Sequence, residues 1–118
     1  MSDRGDLAFL QDIAEAISAI SLYIKNADYF SFLKDGKTRD AVVRNLEIIG
    51  EAAKNTHDPF KKIYPALPWK EMAGVRDKLI HQYFGINYEV VWAIASHDLP
   101  ALQKSLKLIL KELKKKTL

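Results

Sequence analysis

From Leu7 onward the positions Leu7, Leu10, Ala14, Ile17, Ser21 and Ile24 recur at spacings of three and four. The pattern predicts a first helix from about Asp6 to Asn26, with these residues on its inner stripe. Asp28 to Asp35 is a short aromatic stretch carrying Tyr29, Phe30 and Phe32, closed by Gly36. It is expected to form a helical turn packed on the next element, with Thr38 as the N-cap of a second long helix that runs to about Asn55. That helix is apolar on two sides, with Val42, Leu46, Ile49 and Ala53 on one stripe and Ala41, Ile48 and Ala52 beside it. Both sides need cover, and in so short a chain a second copy is expected to supply one of them, making a homodimer. Gly50 in the middle of the helix costs about 1 kcal/mol relative to Ala, so it is expected to mark a close helix crossing.

Thr56 to Leu67 contains Pro59 and Pro65 and is expected to be a loop. Pro68 then stands where a helix start tolerates it, and Trp69 to about Gln82 is predicted as a third helix. Gly85 and Asn87 interrupt the chain. Tyr88 to Ser96 is predicted helical, and Asp98 is placed to cap a restart with Pro100 in its first turn. Leu102, Leu106, Ile109, Leu110 and Leu113 then give an amphipathic face. No window alternates with period two, so no strand is expected. The fold class is all-α, an antiparallel bundle of four or five helices, dimeric, with residues 1–118 as a single domain.

Composition narrows the chemistry. At 118 residues and 48% hydrophobic, the chain suffices for one core and not for two. It has no cysteine, which excludes a disulfide framework, a thiolate metal site and a cysteine nucleophile. The 18 basic and 15 acidic residues leave a net charge of +3. Part of that charge is the tail of Lys111, Lys114, Lys115 and Lys116, which reads as a solvated, dipole-complementing helix end rather than a nucleic-acid grip. The first residues are acidic where a signal peptide is basic, and the apolar stretch after them is interrupted by Gln11, Asp12 and Glu15. The longest apolar run, Val90 to Ala95, is six residues, against the ~20 needed to cross a bilayer. A soluble, cytoplasmic protein with no membrane association is expected.

The five glycines are scattered and form no phosphate-binding loop. His57, His81 and His97 show no metal-ligand spacing, so neither a metal nor a cofactor is expected, and His57 and His97 read as surface or capping residues. The informative stretch is Gly74-Val-Arg-Asp-Lys-Leu-Ile-His-Gln-Tyr-Phe-Gly85. On a continuous helix Asp77 and His81, four apart, are neighbours, so the carboxylate can orient the imidazole and favour its protonated form. Arg76 and Tyr83, seven apart, fall on one side of the same helix. A fixed cation, a titratable imidazole with an orienting acid, and a phenol suit phosphodiester chemistry on RNA without a metal. Histidine can move a proton to or from the 2′-hydroxyl or the leaving oxygen, while arginine hydrogen-bonds the charge on the phosphoryl oxygens. The motif supplies one histidine per chain, so a paired general acid and base would need two copies meeting across a dimer. The same residues also read as a solvated helix end with His81 placed for the macrodipole and Tyr83 as a half-buried aromatic, an arrangement common at helix ends.

Arg76, His81 and Tyr83, preceded by Pro68-Trp69 and Gly74 and followed by Phe84-Gly85, resemble the signature of the HEPN superfamily and, within it, the HepT-like toxins. The block from Thr38 to Ala53 resembles the second helix of the same group, and the similarity spans nearly the whole chain. The resemblance implies an all-helical, usually dimeric, metal-independent endoribonuclease, the toxin of a prokaryotic type VII toxin–antitoxin pair. It implies Arg76 and His81 as catalytic residues supported by Asp77, and Tyr83 as the tyrosine that an MntA-like nucleotidyltransferase antitoxin modifies with AMP. An AMP on Tyr83 would put a bulky anion where substrate phosphate sits. RNA is then the substrate, and Arg39 and Arg44 on the second helix are candidate RNA contacts outside the motif or, equally, dimer or fold residues. The alternatives are a non-catalytic helical subunit that binds a nucleotidyltransferase, and a plain helical oligomerisation module.

Overall fold

A computed structural model of the chain describes residues 5–81, 83 and 85–117; the side chains of His81, Lys116 and Thr117 lie outside the description. Helix α1 is Asp6–Tyr23, α2 Tyr29–Lys34 and α3 Gly36–Asn55. Short helices α4 Asp58–Ile63, α5 Trp69–Ala73 and α6 Val75–Leu79 follow. A two-residue strand pair, β1 Ile80–His81 and β2 Gly85–Ile86, leads into α7 Tyr88–Ala93, a π turn at Ile94–Asp98 and α8 Leu99–Thr117.

Helices α2 and α3 start on side chains that satisfy free backbone donors, whereas α1 starts at Gly5 without one. Asp28 accepts from the Ser31 N–H at 2.8 Å while the Ser31 hydroxyl takes the Asp28 N–H, closing a reciprocal box. Asp35 accepts from both the N–H and the hydroxyl of Thr38. The cap of α3 is therefore Asp35 and not Thr38, which sits one turn inside. These donors hold both carboxyls below the ordinary carboxylate value: at Asp35 chiefly the Thr38 hydroxyl, at Asp28 chiefly the Ser31 N–H.

Helices α1 and α3 form the most extensive pair, with α8 packed on α1 and with α5 and α6 packed on α3. The core runs between them through Leu10, Ile13, Ile17 and Ile20 of α1 and Val42, Leu46, Ile49 and Ala53 of α3. The α3 stripe is the predicted one. The α1 stripe is rotated: Phe9, Ile13, Ala16 and Ile20 are buried with Leu10 and Ile17, while Leu7 and Ser21 are exposed. Each large aliphatic side chain removed from water contributes about 1.5–3 kcal/mol, so the face with Ile13 and Ile20 outweighs the one with Leu7 and Ser21. Gln103 Nε2 donates to the Ser18 hydroxyl at 3.2 Å, and Leu7 lines a cleft with Leu110 and Lys114, so α8 runs antiparallel to α1.

Five expectations are corrected. The stretch from Thr56 to Leu67 is not all loop, because Pro59 occupies the first turn of α4, where its missing N–H has no partner to lose. The third helix does not run to Gln82: it breaks at Gly74 (φ −92°, ψ 5°) and ends at Leu79, and Gln82 lies outside the described residues. The expected absence of strands is overturned by the Ile80↔Ile86 and His81↔Gly85 pairs. There is no restart at Asp98, because the chain stays helical from Tyr88 to Thr117. The Leu99 N–H reaches back to the Ile94 carbonyl, a five-residue step that inserts one extra residue just before Pro100, which has no N–H to donate. Counting that run once, the described residues hold seven separate helices rather than four or five. No helix among them is long and apolar enough to cross a membrane.

Candidate active site

Gly50 sets where the site stands. A Cβ there would lie 3.0 Å from Val75 Cγ1 and 3.2 Å from the Met72 carbonyl, so α3 crosses the α5–α6 corner at close range, as the buried glycine predicts. Val75 is buried in this crossing, and the next residue, Arg76, is exposed and lines an open groove of about 360 Å³. The floor of the groove is Phe9, Ile48 and Ala52, and its rim carries Asp12 of α1 and Arg44, Glu47, Glu51 and Asn55 of α3. Asn55 Nδ2 donates to Glu51 Oε1 at 3.4 Å. Within 4 Å the side chains of Arg44, Glu47 and Arg76 make no ion pair among the described residues.

After Leu79 the backbone turns extended at Ile80 (φ −95°, ψ 121°), and the Leu79 carbonyl accepts the Asn87 N–H at 2.7 Å. His81 and Gly85 face each other in the pair, and Tyr83 stands at the tip between them with 81% of its surface exposed. Gly85 has φ +79°, the left-handed conformation that closes a short loop and that residues with a side chain rarely adopt. Asp77 and His81 are therefore not neighbours on one helix, nor do Arg76 and Tyr83 lie on one helix side: the helix ends two residues before His81. Asp77 is exposed in α6, His81 is in a strand, and Tyr83 is in the turn. Phe84 of the motif lies outside the described residues, and so does the imidazole of His81.

The two arginines named outside the motif part company. Arg44 shares the groove with Arg76. Arg39 instead packs its guanidinium 4.8 Å from the centre of the Tyr88 ring, with its Nε buried and without a hydrogen-bond partner among the described residues, and does not line the groove. Glu47, Glu51 and Asn55 were not singled out in the sequence, although with Arg44 they form a polar row of helical spacing on α3. His57 ties two elements, its Nδ1 and N–H both meeting Asp6 Oδ1 at 3.0 and 2.9 Å. Among the described residues no three His, Cys, Asp or Glu side chains gather as a metal site.

The family model described as "Ribonuclease HepT-like" matches residues 13–109. Over 100 residues the chain is 48% identical to "Probable ribonuclease HepT" of Thermococcus cleftensis, covering 85% of this chain and 91% of that one. It is 48% identical over 106 residues to a "Putative RNase" of Methanocaldococcus jannaschii, covering 90% and 88%. A "Putative RNase" of Caldanaerobacter subterraneus subsp. tengcongensis is 42% identical over 104 residues, covering 88% and 93%. No solved structure matches the chain.

Proposed function

We propose, from the premise that the chain belongs to the HepT-like ribonuclease family and is an RNA endonuclease, that it cleaves RNA without a metal as the toxin of a prokaryotic toxin–antitoxin pair. The observation that carries this reading is the placement of Arg76 on an open groove, five residues before His81 and beside a short hairpin with Tyr83 at its tip. Arg76 hydrogen-bonds the phosphoryl oxygens through its planar guanidinium as negative charge builds on them. His81 takes the proton of the 2′-hydroxyl as its oxygen attacks phosphorus, or returns one to the departing 5′-oxygen. A homodimer brings a second His81 for the complementary step, and Asp77 supports the pair electrostatically.

Silencing falls to Tyr83. A nucleotidyltransferase antitoxin joins the Tyr83 oxygen to the α-phosphorus of ATP; the bond to the β-phosphate oxygen breaks, pyrophosphate leaves, and the phenol gives up its proton. The exposure of Tyr83 supports its reaching another protein's active site, and the added anion competes with substrate phosphate. The test is RNA cleavage in chelator. The wild type is expected to cut, and His81→Ala and Arg76→Ala each to lose about 100-fold or more while keeping the wild-type circular dichroism. Undiminished cleavage by both variants overturns the mechanism, and a folded wild type that cuts no RNA favours a non-cleaving subunit of the nucleotidyltransferase.

A further inference from the structure

The groove beside Arg76 has more chemistry than a phosphate requires. Phosphate alone would be served by arginines, yet the rim also carries Glu47 and Glu51, whose charge opposes a polyanion. Glu47 is half-buried and makes no ion pair or side-chain hydrogen bond among the described residues. Arg44, three residues earlier on the same helix, is equally unpaired, although such spacing lets opposite charges meet. A half-buried carboxylate left without donors is satisfied by a ligand that brings N–H groups. The groove's volume, about 360 Å³, lies at the lower end of the ~300–1,000 Å³ range of small-ligand sites. Its floor of Phe9, Ile48 and Ala52 offers an apolar surface to a flat ring.

Resting on the ribonuclease reading, we infer that this groove is a base-reading subsite selective for guanine in the nucleotide next to the scissile phosphate. Guanine presents two parallel donors, N1–H and the N2 amino group, which match the two oxygens of Glu47. It also presents O6 and N7 as acceptors, which match the guanidinium of Arg44. Adenine, cytosine and uracil each offer a carboxylate fewer donors in line, so they leave one oxygen unpaired. Glu51, held by Asn55 at 3.4 Å, borders Glu47 one turn on and adds to the negative potential at the amino edge. Arg76 is left to the phosphate.

The test measures binding apart from cleavage. Fluorescence anisotropy follows wild-type protein and 2′-O-methyl oligouridylates, which lack the attacking hydroxyl, with guanine, inosine, adenine or uracil at the centre. Guanine is expected to bind about tenfold tighter than uracil, with inosine, which lacks the N2 amino group, in between. Glu47→Gln keeps the side-chain shape but turns one acceptor into a donor, so the guanine preference should fall to about onefold and adenine should gain. Equal binding of all four oligomers, a preference unchanged in Glu47→Gln, or no binding at all overturns the subsite. So does a wild-type dimer that Glu47→Gln converts to monomer in sedimentation, which would give the groove to a second copy of the chain. Cleavage of the matching 2′-hydroxyl RNA is scored separately. Guanine-selective binding without cleavage removes the ribonuclease mechanism and keeps the subsite, and cleavage without base preference does the reverse.

Discussion

Gly50 of α3 and Val75 of α6 are in contact so close that an added Cβ on the glycine would meet Val75 Cγ1 at 3.0 Å. The same atom would stand 3.2 Å from the Met72 carbonyl, which is backbone and cannot swing aside. Because Arg76 follows Val75 directly, the crossing fixes where the guanidinium enters the groove. In Gly50→Ala, the ~1 kcal/mol that alanine adds to helix propensity is set against an overpacking cost of about 1–3 kcal/mol. The expected outcome is a lower melting temperature, by a few degrees, with ribonuclease activity falling at temperatures where the variant is still folded. Thermal denaturation and cleavage on the same samples check it.

Gly85 is the hinge of the hairpin that carries His81. Its φ of +79° costs a residue with a side chain about 1–2 kcal/mol. Among the described residues, its chain neighbours aside, no atom stands within 4 Å of a Cβ there, so the cost is backbone strain. Gly85→Ala is therefore expected to leave the helical core intact while disturbing the His81↔Gly85 pair. Cleavage should fall by more than tenfold while Tm moves only by a few degrees; equal losses in both would assign Gly85 to global stability alone.

Tyr83 is expected to be dispensable for cleavage and required for silencing. Tyr83→Phe should cut RNA at the wild-type rate and show no adenylyl mass shift after incubation with a nucleotidyltransferase partner and ATP. A mass shift that persists in Tyr83→Phe would move the acceptor elsewhere.

The caps predict an acid dependence with a definite sign. Asp28 and Asp35 have carboxyl values depressed in the folded chain by the groups they accept from. A depressed value makes the stabilisation fully present above the ordinary 3.8 and lost as pH falls through the folded value. Asp35→Asn retains an acceptor for Thr38 but no titration. Its Tm should therefore fall less than that of the wild type between about pH 5 and about pH 2. A steeper fall in the variant would contradict the cap assignment.

The α3 stripe of Val42, Leu46, Ile49 and Ala53 was legible because a long helix buries one face at a fixed period. Gly50 was legible for a related reason, since a glycine in a helix interior is costly unless something comes close. The inner face of α1 was not, because two adjacent apolar stripes compete there and only the position of α3 selects Phe9, Ile13 and Ile20. The end of α6 was equally hidden. Ile80 and His81 continue a helical pattern in the sequence, and it is the returning Asn87 N–H on the Leu79 carbonyl and the left-handed Gly85 that turn them into a strand.

For function, the sequence by itself determined the all-helical class, the exclusion of cysteine chemistry, and the motif of Arg76, His81 and Tyr83 with the family to which it leads. These are properties of residue type and local spacing, which a chain carries before it folds. Only the tertiary structure decided which side chains share a space. It placed Arg44 with Arg76 and sent Arg39 to Tyr88, and it put Glu47 on the groove rim and moved Tyr83 off the helix to an exposed tip. Such proximities depend on how helices far apart in sequence pack. That packing is set by close contacts such as Gly50 on Val75, not by any local period.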